Sequence, residues 1–205
     1  MKPRARVTSR PSRIERRKAQ THRRLLDVAR QLFSQKGIYW VKIEDITEAA
    51  DLGKGTFYKY FDSKESLLRV LLQEGLDTLL AATEEGLRAA PESKSWEAVI
   101  GVRVDFFLEH PDYLLLFHQI RGLMQLEVEA AKDLRAVYDL HLRRLARLLK
   151  LPARSKIGST HDAAIAIAAY TSGLLTYYLL FETTDDLRRR RNEIVTMLKG
   201  SLGYD

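Results

Sequence analysis

Apolar residues recur at helical spacing along most of this sequence. In the first such stretch they occupy positions i, i+1, i+4, i+7 and i+8, which form one face of a helix: Leu25, Leu26, Ala29, Leu32 and Phe33. The pattern predicts a helix that starts at about Ala19 and ends before Gly37, because glycine is a common residue just beyond a helix C-terminus.

Two short helices are predicted next. The first has one apolar face, made of Ile43, Ile46, Ala49 and Ala50. Asp51, Leu52 and Gly53 interrupt the pattern, and a second short helix covers Lys54 to Phe61, with Phe57, Tyr60 and Phe61 at i, i+3 and i+4. We expect Ile46, Ala49 and Ala50 to pack against Phe57 and Phe61.

Longer helices are predicted over the remainder. Ser63 is a suitable N-cap for a leucine-rich helix that continues to about Arg88, and loops follow at 91–95 and 152–159. The further helices are Trp96–Glu109, Pro111–Arg121, Leu123–Lys150, Thr160–Glu182 and Asp185–Leu202. No stretch alternates polar and apolar residues as a strand does, so the fold class is all-α.

Positive charge is concentrated at the N-terminus. The 205 residues carry a net charge of +7, but residues 1–30 hold 11 Lys and Arg against two acidic side chains, a net +9. The other 175 residues hold 23 basic and 25 acidic side chains, a net −2. We expect residues 1–18 to be a disordered basic arm, in which Arg4, Arg6, Arg10 and Arg13 suit polyphosphate or an anionic membrane surface. A tail that is only solvated is the alternative.

Several classes of function are disfavoured. The chain has no cysteine, so it has neither a disulfide nor a thiolate metal site. Its five histidines lack metal-ligand spacing, and no phosphate loop or nucleophile motif is present. We therefore expect no enzyme activity, no metal and no cofactor. The basic, polar residues 1–24 do not resemble a secretory signal, which favours a cytoplasmic protein.

One uncharged stretch has nearly the length of a membrane span. It runs from Ala163 to Phe181 but is rich in alanine and hydroxyl-bearing residues. This composition favours a buried helix packed closely against another helix over a membrane helix. We therefore expect no membrane partner.

The two short helices and their three-residue connection form a helix-turn-helix over residues 42–61. The second helix would enter a DNA major groove while the first holds it from behind. Lysines can neutralise phosphates, tyrosine hydroxyls can bond to them, and Gly55 and Thr56 can approach base edges. The expected DNA-binding residues are Lys42, Lys54, Gly55, Thr56, Tyr58, Lys59, Tyr60 and Lys64.

Residues 19–79 resemble the N-terminal domain of TetR/AcrR-type transcriptional regulators. The resemblance is strongest in the string KGTFYKYFDSKESLL, which starts at Lys54. It implies a homodimer that reads a palindromic operator in double-stranded DNA, and a helical domain that binds a small, largely apolar effector. It also implies phosphate contacts for Tyr58, Tyr60 and Lys64, and base contacts for Gly55 and Thr56.

Three residues depart from the family pattern. Lys42 stands where Ser or Thr commonly caps helix 2, Asp51 stands where the turn usually has glycine, and Gly53 stands where serine usually precedes the lysine. Lys42 cannot cap a helix N-terminus but can contact phosphate, and Asp51 can adopt turn geometry through its own side chain.

Residues 80–205 are expected to form the effector-binding and dimerisation domain. Its candidate pocket residues are aromatic or polar side chains at helical spacing: Phe106, Phe107, Tyr113, Phe117, His118, Arg121, Met124, Tyr138, His141 and Tyr178. Its candidate dimer face combines small residues, which permit close helix packing, with apolar residues of the last helix: Ala166, Ala169, Tyr170, Gly173, Ile194, Met197 and Leu198. For both sets, ordinary packing within one chain is the alternative.

The expected function is a ligand-responsive repressor. An activator, a regulator without an effector, and a helical adaptor protein that binds no DNA stay open as alternatives.

Overall fold

A computed structural model describes residues 12–91, 95–126, 129–150 and 158–201, and every element in these ranges is helical. The N-terminal helices are α1 (Arg13–Lys36), α2 (Ile43–Ala49), α3 (Lys54–Phe57) and α4 (Lys64–Ala89). The C-terminal helices are α5 (Ser95–Glu109), α6 (Pro111–Met124), α7 (Glu129–Leu148), α8 (Thr160–Tyr178), α9 (Thr184–Arg189) and α10 (Arg191–Ser201). The all-α prediction is confirmed.

Helix α1 begins six residues earlier than the sequence pattern indicates. Ser12 caps it: the Ser12 hydroxyl accepts from the Glu15 backbone N–H at 3.2 Å, and the Glu15 carboxylate accepts from the Ser12 N–H at 2.6 Å. This reciprocal capping box satisfies two N–H groups that a helix start leaves unpaired. Residues 13–18 are therefore helical, not part of a disordered arm. Residues 1–11, with Arg4, Arg6 and Arg10, lie outside the described residues.

Other helix boundaries also shift. The sequence pattern ends one helix at Arg121 and begins the next at Leu123. In the structure α6 includes Leu123 and ends at Met124, and α7 begins only at Glu129. The predicted last helix is divided into α9 and α10 around Arg190. Helix α9 has its own capping box, in which the Thr183 hydroxyl and the Asp186 carboxylate each accept from the other residue's N–H.

Helix α4 joins the two halves of the chain. Its N-terminal turns pack with α1, and its later turns pack against α5 and α7. Helix α6 lies across α1 and close to α4 at Gly75, where a Cβ atom would be 2.5 Å from Tyr113 Cε1 and 2.7 Å from Phe117 Cζ. The absence of a side chain at Gly75 is what permits this approach.

No helix in the described part of the chain is long and apolar enough to cross a membrane. The uncharged segment at Ala163–Phe181 instead forms most of α8, where Ala163, Ala164 and Ile167 are fully buried in the protein core.

We expect Gly75→Ala to destabilise the protein by about 1–3 kcal/mol, because the new methyl group would displace the Tyr113 and Phe117 rings. Chemical denaturation would measure this. Gly122→Ala is the matched control, because a Cβ atom at Gly122 meets no atom within 4 Å. A loss of stability equal to that of the control would contradict the packing argument.

Candidate DNA-reading surface and effector cavity

A small apolar core fixes the two short helices relative to each other. Ile46, Ala50 and Phe57 are fully buried and Phe61 nearly so, and the Phe57 and Phe61 ring centroids lie 5.5 Å apart. Ala49, predicted to belong to this core, is exposed, and Thr47 is buried in its place. The reason is the helix period: positions 43, 46, 47 and 50 share a face, and position 49 lies outside it.

The turn between α2 and α3 depends on Asp51. Its φ is +52°, in the left-handed region that glycine usually occupies. The Asp51 N–H donates to the Glu48 carbonyl at 2.9 Å, and the Leu52 N–H donates to the Thr47 carbonyl at 2.8 Å. These two bonds form a Schellman motif, which satisfies carbonyls at the end of α2. Aspartate tolerates this conformation better than most residues, so the turn forms without glycine.

Helix α3 presents its polar residues to solvent. Lys54, Gly55, Tyr58 and Lys59 are exposed, and Thr56 is half-buried. Regular helix ends at Phe57 rather than at Phe61 as predicted. The N–H groups of Lys59, Tyr60 and Phe61 still bond to carbonyls three or four residues earlier, so the chain continues as helical turns.

Two of the predicted DNA-binding lysines contact acidic residues of α2 in the free protein, one through its side chain and one through its backbone. Lys54 forms an ion pair with Glu44 of α2, and this hydrogen bond raises the pKa of Lys54. Lys42 is exposed, and its backbone N–H donates to the Asp45 carboxylate at 2.7 Å. The Lys42 side chain makes no capping bond, as the chemistry of an ammonium group requires.

Lys64 has a structural role that its position in the sequence did not indicate. Its Nζ donates to the carbonyls of Ile38 at 2.8 Å and Val41 at 3.0 Å. These bonds tie the start of α4 to the α1–α2 connection. An ammonium group has three N–H donors, so one donor remains for a further acceptor.

Aromatic side chains contribute to this surface, and two of them were not predicted. The predicted Tyr60 is half-buried, with its ring centroid 6.0 Å from that of His22. Tyr39 and Trp40 are 81% and 75% exposed, and sequence reasoning missed them because no periodic pattern includes them. Tyr39 lines a shallow groove together with Lys42, Lys54, Tyr58 and Lys64.

Nothing within the protein requires glycine at position 55. Its φ is not in the left-handed region, and a Cβ atom there would meet no atom within 4 Å. Alanine would stabilise a helix relative to glycine by up to about 1 kcal/mol. Packing within the described part of the protein therefore does not account for the small residue at this site.

We accordingly expect Gly55→Ala to leave the free energy of unfolding unchanged or raised by up to about 1 kcal/mol. Affinity for a selected DNA site should fall at least about tenfold, because a good base contact is worth about 1–3 kcal/mol. Denaturation and gel-shift titration measure the two effects. Gly122→Ala, also in open space but on α6, is the control and should bind DNA normally; equal affinity for both variants would contradict the prediction.

The C-terminal helices border a cavity of about 490 Å³ that opens to solvent, a size typical of small-molecule sites. The residues that line it come from α6, α7 and α8: His118, Arg121, Gly122, Gln125, Tyr138, Leu142, Ile165, Ala168, Ala169 and Gly173. Arg121 Nη1 donates to the Ser172 hydroxyl at 2.6 Å. The walls are therefore largely apolar, with one guanidinium group on the α6 side.

Only some of the predicted pocket residues line this cavity. His118, Arg121 and Tyr138 do. Phe106, Phe107, Tyr113 and Phe117 instead form a buried aromatic cluster between α5 and α6, with ring centroids 5.5 to 6.1 Å apart. The remaining predicted residues, Met124, His141 and Tyr178, are absent from the lining. Helical spacing identifies buried aromatics but does not distinguish core from cavity wall.

Helix α6 contacts both the cavity and the DNA-reading half. Gln119 lies between the lining residues His118 and Arg121. Its Oε1 accepts from the Ile38 N–H at 2.7 Å, and its Nε2 donates to the Phe33 carbonyl at 3.0 Å. On the same side, Asp112 lies 3.2 Å from Arg30 of α1. A displacement of α6 at the cavity would therefore be transmitted to the end of α1.

His141 is a buried histidine behind the cavity wall. Burial is the main cause that lowers its pKa to about 3, and the positive charges of Arg103 and Arg144 add to the effect, while a backbone hydrogen bond to Leu76 opposes it. Its Nε2 atom has no hydrogen-bond partner. His141 is therefore neutral in the folded protein at any ordinary pH.

This burial predicts acid sensitivity. Because the folded pKa is below the unfolded value of 6.5, the stability from neutral His141 is complete above pH 6.5 and is lost as the pH falls towards 3. The loss approaches about 1.4 kcal/mol per pH unit below 6.5. Denaturation at pH 7 and pH 5 should show this loss in the wild type but less of it in His141→Gln. His161→Gln, at a half-exposed histidine, should behave as the wild type; identical pH dependence in all three proteins would refute the assignment.

The predicted dimer residues fall into three environments. Tyr170 and Met197 are exposed and Ala166 is half-exposed, as a dimer face requires. Ala169 and Gly173 line the cavity as well. Ile194 and Leu198 are buried within the protomer and cannot contact a partner. The prediction was wrong for these two because an apolar stripe shows that a helix face is covered, but not whether the same chain or a partner covers it. Four further apolar residues on and after α8 are exposed but were not among the predicted dimer residues: Ile165, Tyr177, Leu180 and Phe181.

Similarity to known proteins agrees with this architecture. Residues 25–71 match the model of the family described as bacterial regulatory proteins, tetR family. The chain is 35% identical over 71 residues to the transcriptional repressor KstR2 of Rhodococcus jostii, a match that covers 35% of each chain. It is 27% identical over 188 residues, 87% of each chain, to the transcriptional regulator AcrR of Shigella flexneri.

A solved structure shares the fold across both halves. The transcriptional regulator FadR from Bacillus subtilis, in complex with stearoyl-CoA, superposes with a TM-score of 0.71 at 17% identity, covering 90% of this chain and 99% of that one. The fold and the helix-turn-helix thus define an all-helical DNA-binding regulator. Its residues 25–71 belong to the family of bacterial regulatory proteins that the tetR model describes, and its similarity to AcrR extends over most of the chain.

Proposed function

We propose that this protein is a ligand-responsive repressor that binds an inverted-repeat operator as a homodimer. Residues 19–79 would read DNA, assisted by the basic residues 1–18, and residues 80–205 would bind the effector and form the dimer. The observation that carries the proposal is the exposed face of α3, where Gly55 leaves open space beside two lysines and a tyrosine. Repression is supported by the repressor KstR2, which is similar to this chain over 71 residues.

The DNA contacts would be divided by chemistry. Gly55 and Thr56 would meet base edges, and Lys42, Lys59 and Tyr58 would contact phosphates. Lys54 would exchange Glu44 for a phosphate, and the free donor of Lys64 would reach the backbone beside it. Tyr60, half-buried against His22, would contribute its hydroxyl.

A dimer is supported by the exposed apolar surface of α8 and the segment after it. Tyr170, Tyr177, Leu180 and Phe181 are each at least half exposed, and a patch of this kind is seldom left uncovered in a monomer. Two-fold pairing would place the two α3 helices in successive major grooves, about 34–36 Å apart.

The cavity between α6, α7 and α8 would hold the effector, and α6 would carry the response to α1 through Gln119. Acyl-chain binding by a protein of this fold is exemplified by FadR from Bacillus subtilis with stearoyl-CoA. A small, largely apolar effector fits the largely apolar wall.

Selection of bound DNA from a random pool tests the function, and an inverted repeat is the expected result. With that site, Lys59→Ala and Lys64→Ala should each reduce the slope of log affinity against log salt by about 0.9, the value for one phosphate contact. Only Lys64→Ala should also lower stability, because it removes the bonds to Ile38 and Val41. An unchanged slope would show that the substituted lysine makes no phosphate contact. Failure to enrich any site would refute the regulator function.

Tyr170→Arg tests the dimer. Arginine on this exposed position should produce a monomer by analytical ultracentrifugation and weaken operator binding at least about a hundredfold, because half of the base contacts are lost. Tyr170 is preferable to Ala169, which also lines the cavity. Tyr170→Phe keeps the apolar surface and should remain dimeric. A monomeric Tyr170→Arg variant with normal operator affinity would overturn the dimer.

A further inference from the structure

Arg103 is a charged residue in an unusual place. It lies in the middle of α5, 2% exposed, and its Nε and Nη1 atoms have no hydrogen-bond partner. No described carboxylate forms an ion pair with it, and its Cζ atom lies 5.9 Å from the Phe107 ring centroid. Desolvation lowers its pKa to about 10, so the guanidinium still carries its charge at neutral pH. Proteins bury such a charge at a high cost unless a counter-charge neutralises it.

Two partly buried arginines of this region differ from Arg103 in having carboxylate partners. Arg191 forms two bonds to Asp105 on the same helix as Arg103, at 2.8 and 2.6 Å. Arg30 is paired with Asp112. Arginine in this region is therefore usually paired with a carboxylate, and Arg103 departs from that pattern although it is the most buried.

Arg103 lies within electrostatic range of Tyr138 and of the Arg121 guanidinium, and both of these residues line the 490 Å³ cavity. The only hydrogen-bond partner of the Arg121 guanidinium among the described residues is the neutral Ser172 hydroxyl. No acidic side chain is among the lining residues that the structure describes. Arg121 in the cavity wall and Arg103 near two of the wall residues are thus two positive groups that no described carboxylate neutralises.

The remainder of the wall is apolar or weakly polar. On the side of α7 and α8 the lining includes Leu142, Ile165, Ala168 and Ala169. A cation would be repelled by the arginines, and no described cluster of histidine and carboxylate side chains could hold a metal. A neutral apolar molecule would fill the space but leave both charges unpaired.

We propose that the cavity binds a molecule with an apolar body and one anionic head, whose head lies against Arg121 and supplies the counter-charge that Arg103 lacks. The inference rests on the proposed effector-binding function and adds the chemical class of the effector. The head is recognised by charge and the body by the apolar wall. Binding relieves the cost of the buried charge, so the ligand stabilises the protein beyond what its apolar contacts provide.

The test compares ligands that differ only in the head group. Dodecanoate, dodecan-1-ol and dodecanoyl-CoA share one chain, and the first and last carry negative charge on a carboxylate and on phosphates, respectively. At equal concentrations, dodecanoate should raise the Tm of the full-length protein and bind at least about tenfold more tightly than dodecan-1-ol by calorimetry. Binding of dodecanoyl-CoA but not dodecanoate would place the anionic recognition at the CoA phosphates and overturn a head at Arg121.

Variants separate the charge from the shape of the site. Arg103→Met should raise the Tm of the ligand-free protein by at least about 3 °C, since it removes an unpaired buried charge. It should also abolish the preference for dodecanoate over dodecan-1-ol, and Arg121→Met should do the same. Arg103→Lys keeps the charge and should keep part of the preference. Arg143→Met is the control: it removes an exposed arginine paired with Asp139 and should change neither the Tm nor the preference.

The results also distinguish this inference from the proposed function. A lower Tm for Arg103→Met would show that the charge is compensated within the protein and would overturn the inference. Equal affinity for the acid and the alcohol would overturn it as well, and release of the selected operator by both ligands would leave the effector function intact. If neither ligand binds while the wild type retains its operator, the inference fails and DNA recognition stands.

Discussion

One amide side chain fixes the position of α6 relative to the end of α1 and thus relative to the helix-turn-helix. Gln119 bonds to the Ile38 N–H and the Phe33 carbonyl at the end of α1, and its neighbours His118 and Arg121 face the cavity. A helix places adjacent residues about 100° apart, so α6 can serve both surfaces within one turn. The position of the helix-turn-helix relative to the cavity therefore follows the position of α6, and the glycine at position 75 allows α6 to approach α4 closely enough for these contacts.

Much of the fold could be predicted from the sequence because its helices are amphipathic. Leu25, Leu26, Ala29 and Phe33 are buried as the helical period predicts. The early start of α1 was not predicted, but the sequence contains the signal for it, because Ser12 and Glu15 have the spacing of a capping box. The division between α9 and α10 could not be predicted from sequence, since no glycine or proline marks it and the C-cap of α9 is Arg190.

The surfaces were harder to predict than the helices, because a periodic pattern shows that a face is covered but not by what. Ile194 and Leu198 look like interface residues in sequence, yet other helices of the same chain cover them. Arg103 lies between two valines in α5, and a long side chain at such a position commonly extends its charge to solvent. Lys64 matches a phosphate-contacting position of the family, but its bonds to two carbonyls depend on the path of a distant loop. In each case the decisive information is tertiary.

The cavity and the exposed surface of α8 have residues in common. Ala169 and Gly173 line the cavity, while Ala166, Tyr170 and Tyr177 follow on the outer side of the same helix. A partner subunit seated on this surface would alter the cavity wall, and a molecule in the cavity would alter the surface offered to the partner. By thermodynamic reciprocity, ligand affinity and subunit affinity would then change by the same factor. The sensitivity of such a regulator would depend on its own cellular concentration as well as on that of its ligand.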